Sequence, residues 1–300
     1  MKRLLVTGAT GFIGTHCLRE VLAGGYDEVH AVSRSGQGPA AAKLTWHAAD
    51  LRDSAVAVRL IDAVKPTHAL HLAWIATPGV YLSSPENIDW MQATIAMVRA
   101  FAAQGGERFV GAGTCAEYAP SDIACGEETT PLAPVSVYGH AKAATWHAVA
   151  AIGEASPIKV AWGRIFVPYG PGDLPQRLIP GALAALRAGE PLPLSTGEQK
   201  RDFVYAPDAA KMLAGLLGTD ATGAFNIGSG EAPSVRAVME ALADRFKARH
   251  LLQFGARTPR AWEPPLLAAD MAKLTKLGLA VRTPMAVALD RLVAQDDPRA

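Results

Sequence analysis

The residues of this chain best suited to acid–base chemistry are a tyrosine and a lysine four positions apart, Tyr138 and Lys142. The pattern around them predicts a helix over residues 136–155, so both side chains would lie on one helical face. An ammonium beside a phenol favours the phenolate and lowers the tyrosine pKa from its ordinary value of about 10. We therefore expect Tyr138 to exchange a proton with a carbinol or a ketone near neutral pH. Taken alone, however, the pair is more simply explained as two amphipathic residues on a helix surface.

A glycine-rich turn near the beginning of the chain is the second candidate site. Gly8, Gly11 and Gly14 follow an apolar run that predicts a strand, and a helical pattern comes after them. In that order Gly8 permits a tight turn, Gly11 lets the backbone approach a pyrophosphate, and Gly14 lets the helix pack on the strand. The arrangement predicts a dinucleotide site. The other residues assigned to this site are Thr10, Phe12, Ile13, Leu72 and Ala73.

The end of the second predicted strand indicates which dinucleotide is bound. An acidic residue there accepts the ribose hydroxyls, whereas an arginine accommodates a 2′-phosphate. This chain has Ser33 and Arg34 and no acid, and a hydroxyl beside a guanidinium suits a phosphate. NADP(H) is therefore the preferred cofactor and NAD(H) the alternative, unless Arg34 is simply a solvated surface arginine. After the third strand, Asp50 and Leu51 are assigned to the adenine, although Asp50 could instead cap the next helix.

Short apolar runs alternate with helical patterns, and this alternation must position the candidate residues. Strands are predicted over 4–7, 29–33, 44–47, 69–73, 108–111 and 159–162, and helices over 12–23, 54–64, 86–104 and 136–155. Such βαβ units predict an α/β fold with a Rossmann-type, doubly wound parallel sheet. Thr114 would then offer a hydroxyl at the carboxyl edge of the sheet, where ligands of such sheets bind.

The composition changes after Pro168, where proline and glycine become frequent and the helical patterns shorten. We predict a dinucleotide-binding domain over residues 1–167. Residues 168–300 are expected to form a smaller α/β substrate-binding region, with some segments returning to the sheet.

The composition excludes several classes of partner. The chain has 300 residues, of which 50% are apolar and 19% charged, and its formal charge is +1, which indicates neither a nucleic acid nor a membrane surface as partner. Three cysteines are too few for a disulfide framework, and the apolar run at the start breaks too early for a signal peptide. We expect a cytoplasmic protein.

No metal site is expected. His68, His71, His140 and His147 do not form a metal-ligand pattern with Cys115 or Cys125.

Together, the glycine motif, the Thr114 segment and Tyr138-x-x-x-Lys142 resemble the extended short-chain dehydrogenase/reductases, in the nucleotide-sugar epimerase, dehydratase and reductase branch. Later segments match further landmarks of that branch, at 163–172, 197–208, 225–230 and 270–278. The resemblance implies that Thr114, Tyr138 and Lys142 form the catalytic triad and that Lys142 also holds the nicotinamide ribose. It further implies a nucleotide-linked sugar as substrate and a homodimer formed through two sheet-flanking helices.

The same resemblance assigns arginines to the substrate. It implies that Arg201 binds the diphosphate, where a fork of donors suits phosphate oxygens, the alternative being a surface arginine paired with Asp202. Arg164 is a further substrate-binding candidate, and Arg257 or Arg260 could supply a second phosphate contact.

Two departures from the family pattern bear on the reaction. The dehydratases have an Asp-Glu pair after the catalytic threonine, but this chain has Cys115 and Ala116, so dehydration is not expected. Where the family begins a helix with Asn, the nearest residue is Trp90, which removes the expected local hydrogen bonds. Trp74, Tyr81 and Trp90 are candidates for stacking on a sugar or a base, and equally for filling the core.

The expected function is an NADPH-dependent reductase of a nucleotide-linked 4-keto-6-deoxy sugar, with Tyr138 as proton donor. An NAD-dependent nucleotide-sugar epimerase would use the same triad and is the alternative. A third hypothesis is a cofactor-binding regulatory protein without catalysis, against which the intact Thr114, Tyr138 and Lys142 argue.

Overall fold

A computed structural model describes residues 1–258 and 264–295 of the chain. Its strands are β1 (Arg3–Thr7), β2 (Glu28–Ser33), β3 (Leu44–Ala48), β4 (His68–His71), β5 (Arg108–Thr114), β6 (Lys159–Ile165), β7 (Val167–Tyr169), β8 (Leu192–Leu194), β9 (Lys200–Arg201), β10 (Phe203–Tyr205), β11 (Gly223–Ile227), β12 (Leu252–Phe254) and β13 (Leu266–Leu267). Its helices are α1 (Phe12–Leu22), α2 (Ser54–Val64), α3 (Glu86–Ala103), α4 (Val137–Glu154), α5 (Leu178–Ala188), α6 (Ala206–Leu217), α7 (Val235–Arg245), α8 (Ala272–Lys276) and α9 (Met285–Gln295).

Seven parallel strands form the central sheet in the order β11-β6-β5-β4-β1-β2-β3. The predicted Rossmann-type fold is confirmed. The order of the strands reverses between β1 and β4, so the loops that leave their carboxyl ends diverge and open a crevice. The predicted strands and helices of the first half all form, and β5 extends beyond its predicted end to include Thr114.

Helices cover both faces of the sheet because alternate residues of each strand point to opposite sides. Leu4 and Val6 of β1 pack with α1 and α6, whereas Leu5 between them packs with α2, α3 and α4. All three side chains are fully buried. The two apolar layers fix the sheet rigidly, so the residues at its carboxyl edge have a defined geometry.

The residues after Pro168 divide between two structures. Helices α5, α7 and α9 form a third apolar core with β8, β10 and neighbouring segments. Helix α6 and strand β11, in contrast, belong to the main sheet and its covering layer. Some segments of the C-terminal region therefore return to the sheet. The predicted division of the chain into two domains between residues 167 and 168 stays a prediction.

Within the two described ranges, no helix is both long enough and apolar enough to cross a membrane. The expected cytoplasmic location and the pairing of two copies stay predictions.

Candidate active site

The turn between β1 and α1 has a backbone that only glycine fits. Gly8 has a φ of +68°, and a Cβ atom added to it would lie 2.7 Å from the backbone nitrogen of Ala73. A Cβ atom on Gly14 would lie 1.9 Å from the carbonyl oxygen of Gly8. The first turn of helix α1 therefore packs in direct contact with the glycine turn. Gly11, at the N-cap position, has no side chain to cap the helix. The exposed N–H groups and the positive helix end fit a pyrophosphate, so the turn suits a dinucleotide.

A cavity of about 450 Å³ opens at the carboxyl edge of the sheet. Most of the predicted site residues lie in its wall, namely Gly8, Gly11, Phe12, Ile13, Gly14, Leu72, Ala73, Thr114, Tyr138, Lys142 and Arg201. The remaining predicted residues do not line it, namely Thr10, Ser33, Arg34, Asp50, Leu51, Arg164 and Arg257. The structure thus brings the glycine turn, the three candidate catalytic residues and one phosphate-binding candidate to a single cavity.

Thr114 ends β5 and caps the single 3-10 turn formed by Cys115–Glu117. Its hydroxyl oxygen accepts a hydrogen bond from Ala116 N at 3.2 Å, and Glu117 returns the interaction by accepting one from Thr114 N at 2.9 Å. This reciprocal capping box fixes the threonine side chain. With the oxygen of Thr114 engaged as acceptor, its hydroxyl proton is available to a partner in the cavity.

The carboxylate of Glu117 is completely buried and receives three donors. Besides Thr114 N, Trp162 Nε1 donates at 2.9 Å and Arg164 Nε donates at 2.8 Å. Arg164 is only 1% exposed and also donates to the hydroxyl of Tyr118 at 3.1 Å. The guanidinium of Arg164 thus neutralises a buried carboxylate outside the cavity wall, and its role in substrate binding stays a prediction that this geometry does not support.

Tyr138 is positioned by the packing of the first turn of α4. Ser136 Oγ accepts from Gly139 N at 3.1 Å and caps the helix. A Cβ atom at Gly139 would lie 2.3 Å from the carbonyl oxygen of Ala116, so α4 begins in contact with the 3-10 turn. This close approach brings the Tyr138 hydroxyl to the Thr114 side chain, with which it forms a hydrogen bond.

The protonation of the pair differs from the sequence prediction. Burial raises the pKa of the Tyr138 hydroxyl, and its hydrogen bond with Thr114 opposes that shift only in part. Lys142 is not among the groups that shift the Tyr138 pKa, and its Nζ donates to the carbonyl oxygen of Ala112 at 2.7 Å. Burial lowers the pKa of Lys142 to about 7. Burial thus favours the neutral phenol at Tyr138, which suits the donation of a proton, and opposes the charge of Lys142.

Two arginines of the described residues line the cavity. Arg201 is 7% exposed, which excludes the alternative that it is a surface arginine. The neighbouring Asp202 accepts hydrogen bonds from Ser229 and from the Gly230 and Ala269 backbones. Arg177 also lines the cavity and was not predicted from the sequence. It stands at the N-cap position of α5, with its Nε 3.2 Å from the buried carboxylate of Asp173, and no local motif signals this position.

At the end of β2, the two predicted phosphate ligands have different surroundings. Ser33 Oγ donates to Gln37 O at 2.9 Å and accepts from Gln37 N at 3.0 Å. The hydroxyl therefore stabilises the loop that follows β2. Arg34 is exposed, and its charge is one of those that lower the pKa of the Asp50 carboxyl, after the larger effect of Arg52. The guanidinium of Arg34 is thus exposed, and its charge acts on the Asp50 carboxyl.

Three other assigned residues lie outside the cavity wall. Asp50 does not cap α2, because Asp53 does so by accepting from the backbone of Ala55 and Val56. Leu51 is 4% exposed and packs in the apolar core. Arg257 is exposed and away from the cavity wall, and Arg260 lies outside the described residues.

The local hydrogen bonds that Trp90 was expected to remove are supplied one turn earlier in α3. Asn87 is completely buried, accepts from Trp74 Nε1 at 2.7 Å and donates to the carbonyl oxygen of Tyr81 at 2.7 Å. Trp74 and Tyr81 both line the cavity, and Trp90 stacks on Trp74 from outside it. The first two aromatics are therefore placed to contact a ligand, whereas Trp90 fills the layer behind.

His71 has a structural role. His71 lies between the hydroxyls of Thr7 and Thr94, at 2.8 and 2.9 Å, and burial lowers its pKa to about 3. In the described part of the chain, no three His, Cys, Asp or Glu side chains are placed to hold a metal ion.

Comparison with known proteins identifies the family. The profile of the NAD dependent epimerase/dehydratase family matches residues 4–228, which include the glycine turn, Thr114, Tyr138, Lys142 and β11. The chain belongs to this family. It is an NAD(P)-dependent enzyme of the short-chain dehydrogenase/reductase type, as the resemblance of its motifs implied.

The relatives include both dehydratases and epimerases. The dTDP-glucose 4,6-dehydratase of Xanthomonas campestris is 29% identical over 276 residues, covering 83% of this chain and 78% of its own length. The UDP-glucose 4-epimerase of Thermus thermophilus, solved with NAD, is 27% identical with a TM-score of 0.81, covering 96% of this chain and 98% of its own. The dTDP-glucose 4,6-dehydratase of Streptomyces venezuelae, also solved with NAD, is 26% identical with a TM-score of 0.86, covering 97% and 96%. The two solved structures match this one along almost the whole chain.

Proposed function

We propose that this enzyme transfers a hydride to the keto carbon of a nucleotide-linked sugar without eliminating water. One observation carries the proposal. Among the described residues that line the cavity there is no aspartate or glutamate, and Cys115 and Ala116 follow Thr114 in the wall. Glu117, the carboxylate that follows Cys115 and Ala116, accepts from three buried donors. Elimination of water needs an acid and a base, whereas reduction needs only a proton donor for the developing alkoxide.

The residues of the cavity suit that reduction. The Thr114 hydroxyl and the Tyr138 phenol are hydrogen-bonded to each other. Both would donate hydrogen bonds to the carbonyl oxygen of the substrate. Donors aimed at an oxygen that gains negative charge stabilise the transition state. A bound nicotinamide would supply the hydride. Tyr138, neutral because burial raises its pKa, would give its proton to the oxygen of the sugar.

We favour a reductase that uses NADPH and a 4-keto-6-deoxy sugar. The exposed Arg34 and the lack of an acid at the end of β2 support a cofactor with a 2′-phosphate. NADPH that leaves after each turnover suits net reduction. An epimerase is the second candidate, and the bound NAD in the Thermus epimerase favours it. It would oxidise a sugar hydroxyl and return the hydride to the other face of the ketone.

Replacing Arg34 by Ala is expected to weaken NADPH binding about 10- to 100-fold, because a charge-assisted hydrogen bond to phosphate contributes roughly 1.5–3 kcal/mol. NADH binding should change much less, since NADH has no 2′-phosphate. Titration of intrinsic tryptophan fluorescence with each cofactor measures both constants. Equal binding of NADPH and NADH by the unaltered enzyme would contradict the assignment of Arg34.

Replacing Arg201 or Arg177 by Ala is expected to weaken nucleotide-sugar binding about 10- to 100-fold, if each guanidinium contacts a phosphate. Calorimetric titration with the nucleoside diphosphate alone measures this loss. NADPH affinity is the internal control. A parallel loss of both ligands would mean that the substitution damages the fold and would contradict the assignment of that arginine.

Stoichiometry separates the two candidate reactions. A reductase consumes one NADPH for each keto sugar reduced, which is followed by the fall in nicotinamide absorbance and by chromatography of the sugar nucleotides. An epimerase interconverts two sugars with no net change in absorbance. Purification with tightly held NAD, together with equilibration of two epimers without added reductant, would overturn the reductase proposal.

A further inference from the structure

Trp74 places its indole ring directly over the ammonium of Lys142. The Nζ atom lies 3.8 Å from the centre of the ring, and the lysine is only 3% exposed. An ammonium over the face of a tryptophan is attracted by the negative face of the ring, and the attraction grows when water is excluded. This contact therefore stabilises the charged form of Lys142.

The indole is itself fixed from two sides. Its Nε1 donates to Asn87 Oδ1 at 2.7 Å, and its ring stacks on Trp90 with 6.3 Å between the ring centres and 28° between the planes. Asn87 is completely buried, and its amide group also donates to the carbonyl oxygens of Tyr81 and Ser84. A rotation of the indole away from Nζ would break a buried hydrogen bond. The ring is thus a rigid support.

The other groups around Lys142 act on its charge in both directions. The carbonyl oxygen of Ala112 accepts a hydrogen bond from Nζ, and the carboxylate of Glu117 favours the charged form. His71 is neutral, since its pKa is lowered to about 3, and Tyr138 is neutral because burial raises its pKa. Burial opposes the charge and is the largest effect on Lys142. The indole face is the further stabilising contact against that burial.

We propose that Trp74 is a positioning residue for Lys142, whose ammonium it fixes in place and whose charged form it stabilises. The importance of this contact for turnover rests on the proposed function. The contact itself is a property of the free protein and is open to a test that needs neither cofactor nor substrate.

The test replaces the tryptophans by tetrafluorotryptophan, which weakens the negative face of the indole with little change in shape. Nitrogen-15 NMR of the lysine ammonium groups then follows the titration of Lys142, whose signal is identified by its absence from a Lys142→Met variant. Losing the attraction destabilises the charged form, so the titration midpoint should fall. A fall of about 0.4–1.5 pH units is expected, from a cation–π contribution of roughly 0.5–2 kcal/mol at 1.36 kcal/mol per pH unit.

The control is the same substitution in a Trp74→Phe background, where the fluorination effect should be absent. An equal fall in that background would overturn the proposal, because it would then come from another tryptophan, such as Trp162 at 5.6 Å. An unchanged or raised midpoint in the fluorinated protein would also overturn it. An enzyme that reduces no keto sugar but shows the expected fall would contradict only the proposed function.

Discussion

Replacing Tyr138 by Phe is expected to lower the turnover of a keto sugar by about 10²–10⁴-fold, the usual contribution of a general acid. The substitution removes the transferable proton and leaves the aromatic ring against Tyr81, whose ring centre lies 5.0 Å away. Cofactor affinity should stay nearly constant, because the glycine turn that receives the dinucleotide is not altered. Steady-state turnover and cofactor titration of the same preparation measure the two quantities.

The matched control for this prediction is Tyr26→Phe, which removes a phenol hydroxyl near His68, at the opposite edge of the sheet from the cavity. That variant should keep normal turnover. Near-normal turnover of the Tyr138→Phe enzyme would show that another group donates the proton and would refute the assignment of Tyr138.

Replacing Glu117 by Gln is expected to lower the free energy of unfolding by about 3–5 kcal/mol, because it leaves a buried guanidinium without its partner. The Glu117–Arg164 pair is almost completely inaccessible to water, and Glu117 also accepts from Trp162. Since a domain is typically stable by only about 5–15 kcal/mol, this loss should shift the midpoint of urea denaturation strongly. Turnover should fall as well, because Glu117 fixes the Thr114 backbone.

Two controls separate the buried charge from a general effect of the substitution. Adding Arg164→Met to Glu117→Gln removes the unpaired guanidinium and should recover part of the lost stability. The exposed pair of Asp244 and Arg249 offers the matched surface case, where Asp244→Asn should leave the denaturation midpoint unchanged. A Glu117→Gln protein with normal stability would contradict the role given to the buried pair.

Much of the fold could be predicted because its signals are local. Alternation of apolar residues locates the strands, and the glycines at 8, 11 and 14 mark the first turn, where a side chain would collide with backbone. The assembly of Thr114, Tyr138 and Lys142 followed from their motifs and from the rule that ligands bind at the carboxyl edge of such sheets. These features depend on neighbours in the sequence or on general topology.

The features that the sequence did not reveal depend on contacts between distant segments. The sequence around Arg164 gives no sign that its guanidinium pairs with a carboxylate 47 positions earlier. Arg177 was missed because its access to the cavity depends on how α5 packs. Lys142 was expected to act on the Tyr138 hydroxyl, but the Ala112 carbonyl and the Trp74 ring engage its ammonium instead. In each case burial, which the sequence pattern does not measure, determines the role.

The most direct test of the account follows a labelled hydride into the product. The enzyme is incubated with a nucleotide-linked 4-keto-6-deoxy hexose and NADPH that carries deuterium at its transferable position, and the sugar nucleotide is analysed by mass spectrometry. We expect a product heavier by one deuterium and one hydrogen, while the unmodified hexose nucleotide loses no water. Loss of water from that hexose nucleotide, with no deuterium in any product, would contradict hydride transfer without elimination.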